Sequence, residues 1–368
     1  MSLHTTSGKY LLELCETLEY NDPFPTEADL ARQMNVSRTT IRRALGDLVD
    51  WHVITRIPKR GTFVNPKSEW RVPVEESLRS GLMGLIVPSL DNAFDRRLVS
   101  GFLHGAEEKG IEVVVRLSED NLQKESQIIE ESVKRKYQGL AVFPCENELV
   151  NNELVKYKLE HYPLVLIDRW FPGIAFNSVR TDNYLGGVLA ATWLLQQGFH
   201  RISIIARHYR EPGGTETVRE RIRGIEDTVI RSGEPVLRDS YCFGQTLTRE
   251  EFRKKVYEKI IDNPDVDAVI TIRVSDAHEF YDVLRHSTTQ RLGWASFDSW
   301  HDYPSLFSPL PDGTHAFDDI SWVDQSEWEV GRIAALSLAK VIQDPTTRID
   351  EILPVKLQTS QGAVSSSI

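Results

Sequence analysis

Residues 24–64 read FPTEADLARQMNVSRTTIRRALGDLVDWHVITRIPKRGTFV. Pro25 followed by Thr26 is a helix-start signal, because a hydroxyl there accepts from the unpaired amides of the first turn. Leu30, Ala31 and Met34 then fall on one side of a short helix over residues 27–34. Asn35 and Val36 interrupt it, Ser37 offers a second cap, and Ile41, Ala44, Leu45 and Leu48 repeat the core-facing stripe to about Asp50. After Trp51 the pattern becomes that of strands. Val53, Ile54 and Ile57 are strand formers, residues 58–61 (PKRG) read as a turn, and Thr62-Phe63-Val64 returns as a second strand. Upstream, Leu11, Leu14, Cys15 and Leu18 keep helical spacing and predict a first helix from Tyr10 to Leu18.

The charge of this head differs from that of the whole. The 368 residues carry 43 Lys and Arg against 54 Asp and Glu, a net −11, which taken alone argues against a polyanionic partner. Residues 38–60, however, hold six basic side chains against two acidic ones. With Ile41, Ala44, Leu45 and Leu48 facing inward, Arg38, Thr39, Arg42 and Arg43 share the outer face of the third helix. A solvated face is the ordinary reading of such a stripe. Two short helices, a tight turn and a hairpin make duplex DNA the stronger one, since arginine forks onto guanine or phosphate and a helix of this size fits a major groove. About residues 8–66 resemble the winged helix-turn-helix of GntR-type bacterial regulators, most closely at Val36-Ser37-Arg38-Thr39-Thr40 and Gly61-Thr62-Phe63-Val64. The resemblance implies DNA contacts by Ser37, Arg38, Thr39, Thr40 and Arg42, with Lys59, Arg60 and Gly61 at the wing. Asp29 departs from the pattern where such proteins often place a phosphate-binding arginine, and Trp51-His52-Val53 replaces an acidic-Gly-apolar turn.

Residues 67–80 are charged, proline-bearing and without apolar periodicity, so the expected organisation is a head over 1–66, a linker over 67–80 and a body over 81–368. In the body, apolar strands at 82, 111, 140, 164, 202, 268 and 292 alternate with amphipathic helices. Such alternation predicts an α/β fold of parallel sheets flanked by helices, with ligands bound beyond the carboxyl ends of the strands. No internal sequence repeat is visible. No apolar run spans a bilayer and no secretory pattern opens the chain, so a cytoplasmic protein with no membrane partner is expected. Three isolated cysteines and histidines without ligand spacing give no reason to expect a metal or other cofactor.

The body resembles the effector domain of LacI/GalR-type repressors, which has the fold of periplasmic sugar-binding proteins. The resemblance rests on Leu85-Ile86-Val87-Pro88 with Asn92-Ala93-Phe94, Ile167-Asp168-Arg169, Asp182-Asn183, Gly186-Gly187, residues 197–202 (QGFHRI), Arg221 to Gly224, Ser275-Asp276, Phe297-Asp298 and Asp324-Gln325. It implies two Rossmann-like lobes joined by three crossovers around a ligand cleft. It places Asp168, Arg221, Ser275 and Asp298 there, with Asn92, Phe94, Arg169 and Gln325 as further candidates. Chemistry agrees, because a guanidinium bridges neighbouring sugar hydroxyls, carboxylates accept hydroxyl protons and an aromatic face covers sugar C–H groups. Trp170, Phe297, Trp300 and Trp322 are candidates for that face, and Asp182 is read as a helix cap. Arg169, Arg207, Arg210 and Arg273 near strand ends extend the candidate ligands to an acidic sugar such as a uronate.

An enzyme is the rival class for such a fold, but no GxGxxG follows the first body strand, and no GxxxxGK[ST] or GxSxG is present. A transport binding protein would need neither the basic head nor its turn. The sequence therefore points to a regulator binding double-stranded operator DNA and a small sugar-like effector. It is expected to act as a repressor of carbohydrate genes and as a homodimer, because paired heads read a palindrome. The resemblance adds the outer face of the helix over 94–104 as part of the dimer contact.

Overall fold

A computed structural model describes residues 6–58, 60–70, 81–146, 150–207, 214–244, 246–284, 292–298, 320–359 and 362–363. The chain divides into two compact units, Met1–Gly81 and Leu82–Ile368.

In the first unit, α1 (Thr6–Thr17), α2 (Glu27–Gln33) and α3 (Arg38–Asp50) precede the antiparallel pair β1 (Ile54–Ile57) and β2 (Gly61–Val64). Thr26 caps α2 by accepting from the Asp29 amide, and Ser37 caps α3 by accepting from the Thr40 amide. Leu11, Leu30, Ile41, Leu45, Leu48, Val53 and Val64 close one apolar core. His52 turns the chain between α3 and β1 at φ 55°, a left-handed conformation that glycine takes without strain. The packed head reaches beyond Pro66: a single helical turn covers Lys67–Glu69, and Trp70 lies against the core with its indole N–H donating to the Asn65 carbonyl at 2.9 Å. The start of the stretch read as linker is thus held by the head, because packing the indole against the core removes a large apolar surface from water while its N–H keeps a partner.

The second unit consists of two parallel-sheet lobes. The first runs β3 (Leu82–Val87), α4 (Ala93–Glu107), β4 (Glu112–Leu117), α5 (Leu122–Lys134), β5 (Gly139–Val142), α6 (Asn152–Leu159), β6 (Leu164–Ile167) and β7 (Asn177–Thr181). The chain then enters the other lobe through α7 (Asn183–Gln196), β8 (Ile202–Ala206), α8 (Glu216–Arg231), β9 (Cys242–Phe243), α9 (Arg249–Val256), β10 (Ala268–Thr271), α10 (Val274–Leu284), β11 (Gly293–Phe297) and β12 (Ile320–Asp324). It returns as α11 (Glu327–Gln343) and β13 (Asp350–Leu353), then crosses once more into β14 (Lys356–Thr359) and β15 (Gly362–Ala363). The sheet orders are β13-β7-β6-β5-β3-β4 and β15-β14-β12-β11-β10-β8-β9. Three crossovers therefore join the lobes, after Thr181, after Asp324 and after Leu353.

Glycines set the helix packing in both lobes. A methyl group built on Gly331 of α11 would lie 1.9 Å from the Leu98 carbonyl oxygen of α4, and one on Gly187 of α7 would lie 2.1 Å from the Arg221 carbonyl oxygen of α8. Only a bare Cα lets these backbones approach so closely.

Candidate functional site

On α3, Arg38, Thr39, Arg42 and Arg43 are exposed, opposite the buried Ile41, Ala44, Leu45 and Leu48. Arg60 and Gly61 are exposed at the wing turn, whereas Lys59 lies outside the described residues. The amides of the first α3 turn and the helix dipole favour an anion at this end. Three of the sequence candidates, Ser37, Thr40 and Arg42, have intramolecular work. The Ser37 hydroxyl accepts from the Thr40 amide at 3.1 Å and meets the Thr40 hydroxyl at 2.8 Å, so this pair builds the cap that presents Arg38 and Thr39. Arg42 donates through Nε and Nη2 to one oxygen of Glu27 at 3.1 and 3.0 Å, while Arg56 lies 3.3 Å from the other oxygen. Asp29 accepts from the Thr26 hydroxyl and pairs with Arg32, which keeps its charge on the α2 cap.

In the second unit, Asn92, Phe94, Asp168, Arg169, Arg221, Ser275, Asp298 and Gln325 all line one cleft of about 180 Å³. A larger groove of about 520 Å³ between α11 and β13 is lined by Ile333, Leu336, Ile352 and Pro354 among others, and none of the candidate residues borders it. The cleft lies at strand carboxyl ends: Asp168 and Arg169 follow β6, Asp298 follows β11 and Gln325 follows β12.

Arg221 is the most heavily engaged of these side chains. It is 4% exposed and donates from Nε to Asn183 Oδ1 at 2.8 Å, from Nη1 to the Ile272 carbonyl at 2.8 Å and from Nη2 to Gln325 Oε1 at 2.6 Å. Asn183 and Gln325 belong to two of the crossovers, so the guanidinium is tied to the hinge. Its plane lies over the Phe297 ring, 4.3 Å from the centroid. Burial lowers its pKa, against the opposing pull of Asp298 and Asp168. Burial also pushes the Asp168 carboxyl up, while Arg221 and Arg169 draw it back. Asp168 Oδ1 and the Thr217 hydroxyl are buried without a hydrogen-bond partner among the described residues. Both residues border the cleft, so a hydroxyl-bearing ligand would satisfy two atoms whose burial otherwise costs free energy.

Several expectations change in detail. Phe297 is fully buried and supports Arg221 from below, so it does not offer its face to the cleft. Trp170 stacks with Arg180 at 4.7 Å and Trp322 packs in the second lobe's core, while Trp300 lies outside the described residues. The aromatic walls are instead Phe94 and Phe143, 6.0 Å apart. Phe143, Thr215, Thr217 and Val218 were missed; Phe143 ends the apolar run at 140, a strand-end aromatic that could have been noticed. Asn92 caps α4, accepting from the Asp95 amide and donating to the Asp95 carboxylate, both at 2.8 Å. Asp182 caps α7 as read, accepting from the Leu185 amide. Of the arginines that suggested an acidic ligand, Arg210 lies outside the described residues and Arg207 does not line the cleft. Arg169 and Arg273 do line it, but both face Glu146.

Two such lobes hinged over a polar cleft define a two-lobed ligand-binding fold, here with a helix-turn-helix unit preceding it in the chain. Residues 83–280 match the periplasmic binding protein domain family, and the chain belongs to it. Residues 14–64 match the bacterial regulatory proteins of the gntR family. The chain is 26% identical over 186 residues to the arabinose metabolism transcriptional repressor of Geobacillus stearothermophilus, a match covering 50% of each chain. It spans about half the length of the curated arabinose repressors that it matches. It is 23% identical over 339 residues to the ribose operon repressor of Bacillus subtilis, covering 86% of this chain and 92% of the other. Among solved structures, a regulatory protein of the LacI family from Chloroflexus aggregans superposes with TM-score 0.64 at 18% identity, over 77% of this chain and 99% of that one. A LacI family transcriptional regulator from Enterococcus faecium with bound ribose gives 0.59 at 19% identity, over 76% and 97%. These relatives are named as regulators, and none of them as an enzyme.

Proposed function

We propose that this protein is a ligand-responsive transcriptional regulator, a repressor of carbohydrate uptake or catabolism genes whose operator affinity changes when a small sugar binds the cleft. One observation carries the reading: a helix-turn-helix unit with an exposed cationic recognition face and a hinged cleft with unsatisfied polar atoms belong to one chain. Arg38, Thr39 and Arg42 of α3, with Lys59, Arg60 and Gly61 at the wing, contact operator DNA, and Ser37 and Thr40 set the cap. Asp168, Arg221, Asp298 and Gln325 hold sugar hydroxyls, Ser275 and Arg169 border them, Asn92 shapes the rim and Phe94 covers an apolar face. The ligand favours the closed lobes, and closure changes how two heads of a homodimer meet their half-sites. A regulator of this kind would act in the cytoplasm, beside its operator.

The names of the relatives make L-arabinose and D-ribose the first effectors to try. Gel-shift titration with duplexes from upstream of the protein's own gene is expected to show a retarded complex whose midpoint moves with sugar. Coupling of ~1–3 kcal/mol corresponds to a shift of about 5- to 150-fold. A protein that ignores these duplexes with and without sugars overturns the reading.

A further inference from the structure

Glu146 follows β5 in the first lobe, and Arg273 follows β10 in the second. The two side chains meet across the cleft: Arg273 Nη1 donates to Glu146 Oε2 at 2.6 Å, and Nη2 donates to Oε1. Arg169, from the same lobe as Glu146, brings its Nη2 to 3.9 Å from that carboxylate, while its Nη1 donates to the Pro144 carbonyl at 2.6 Å and lies 3.8 Å from Asp120. The Glu146 amide donates to Asp120 Oδ1 at 2.6 Å, which fixes the turn that carries it. Arg169 and Arg273 border the cleft, and the carboxylate they share is not among its lining residues.

We propose that Glu146 is a positioning residue that clasps the two lobes, holding Arg273 and Arg169 at opposite lips of the cleft through one carboxylate. A bidentate carboxylate–guanidinium pair is directional and short-ranged, so hinge opening that separates the lips by a few ångströms breaks it. The side chains are 21% and 18% exposed, which makes the pair stronger than one on an open surface. The clasp therefore favours the closed lobes independently of any ligand contact. With Asp120 3.8 Å from Arg169, two carboxylates in all balance the two lip arginines, so the ligand need not bring a negative charge. The proposal does not depend on which effector binds or on whether the head binds DNA.

Opening is read by pulsed electron spin resonance between labels at Gln127→Cys on α5 and Lys254→Cys on α9, both exposed positions on different lobes. The native Cys15, Cys145 and Cys242 are buried and escape labelling. In the full-length protein, Glu146→Gln and Arg273→Gln should each move the population toward longer distances, by about tenfold in the closed-to-open ratio. The double variant should open no further than either single one. Raising salt from about 0.05 to about 0.5 M should lengthen the distances of the unsubstituted protein in part, since a partly buried pair is screened less than an exposed one, and leave the double variant unchanged. Additive single effects, unchanged distances, or equal salt responses in both proteins would overturn the proposal. Where a substitution impairs folding, the salt response of the unsubstituted protein alone is the test, and no lengthening over that range overturns the proposal.

Discussion

Asp168 and Asp298 are counterparts in the two lobes. Each is the residue directly after the fourth parallel strand counted from its sheet edge, each is left-handed at φ 62° and 69°, and each donates its amide to the next strand, to Val179 and Val323. Two carboxylates thus reach one cleft from opposite sides by the same backbone device. Left-handed backbone is uncommon for residues other than glycine, and Asn and Asp tolerate it best.

Asp168→Asn keeps the shape and the backbone tolerance and removes the charge. The folded protein should melt no lower than wild type, because a buried carboxyl with an unpartnered oxygen is replaced by an uncharged group. Sugar affinity should fall about tenfold or more, as expected when a charged hydrogen bond is lost. Isothermal titration with L-arabinose or D-ribose, whichever shifts the wild-type melting curve, measures it. Retained affinity would remove Asp168 from the ligand set.

Arg221→Met should behave differently, since the guanidinium serves fold and site together. Its loss strips donors from Asn183, Ile272 and Gln325, leaves Asp168 without its principal cation and removes a cation that Asp298 attracts. Destabilisation of about 3–5 kcal/mol is expected for breaking such a buried arrangement. Urea unfolding of the second unit within the whole chain tests the magnitude, and a loss below about 1 kcal/mol would contradict it.

In the head, Arg38→Ala and Ser37→Ala separate contact from capping. Arg38→Ala should weaken operator binding and reduce the slope of log affinity against log salt by about one if Arg38 meets a phosphate, leaving head stability unchanged. Ser37→Ala should cost about 1 kcal/mol of stability through the lost cap, and Ser37→Asp should restore most of it. Equal melting temperatures for Ser37→Ala and wild type would count against the capping role.

Asp276 and Glu327 give the second unit a pH dependence of defined sign. Burial pushes both carboxyls up to about 7, with Arg273 opposing at Asp276 and Asp298 reinforcing at Glu327. Between about pH 4 and 7 the folded state therefore holds more protons at these sites than the unfolded chain does, and their contribution to stability falls as pH rises through that window. Asp276→Asn and Glu327→Gln should each flatten the loss of stability between pH 5 and 8, measured by denaturant unfolding at matched ionic strength. A slope identical to wild type in both would contradict the assignment.

The elements visible in the sequence were those whose side chains stripe or run apolar: α1, α2, α3, the wing, and the strands β3, β4, β5, β6, β8, β10 and β11. β7 escaped because NSVRT looks polar, although all five residues are buried. Its polar groups are satisfied in the fold, with Asn177 bonding Leu164 and Ile349, and Arg180 bonding Ser178 and Asp350 while stacking on Trp170. The likeness between the lobes was carried by the family resemblance alone, since it lies in strand order and not in repeated residues. The cleft residues carried by family motifs converge, whereas Thr217 counts through an unpartnered hydroxyl at the cleft and Glu146 through partners distant in sequence. Phe297 shows the limit in the other direction: an aromatic beside a cleft aspartate reads as a wall and in fact packs under Arg221, out of the cleft.

Gly187 has a bearing on how such a protein changes its ligand. Its bare backbone lets α8 settle against α7 at Arg221, so the depth of the guanidinium is set from the far side of the helix, away from the other residues that line the cleft. Selection acting on this crossing would retune recognition without altering a single lining side chain, and comparisons restricted to the cleft would miss the cause.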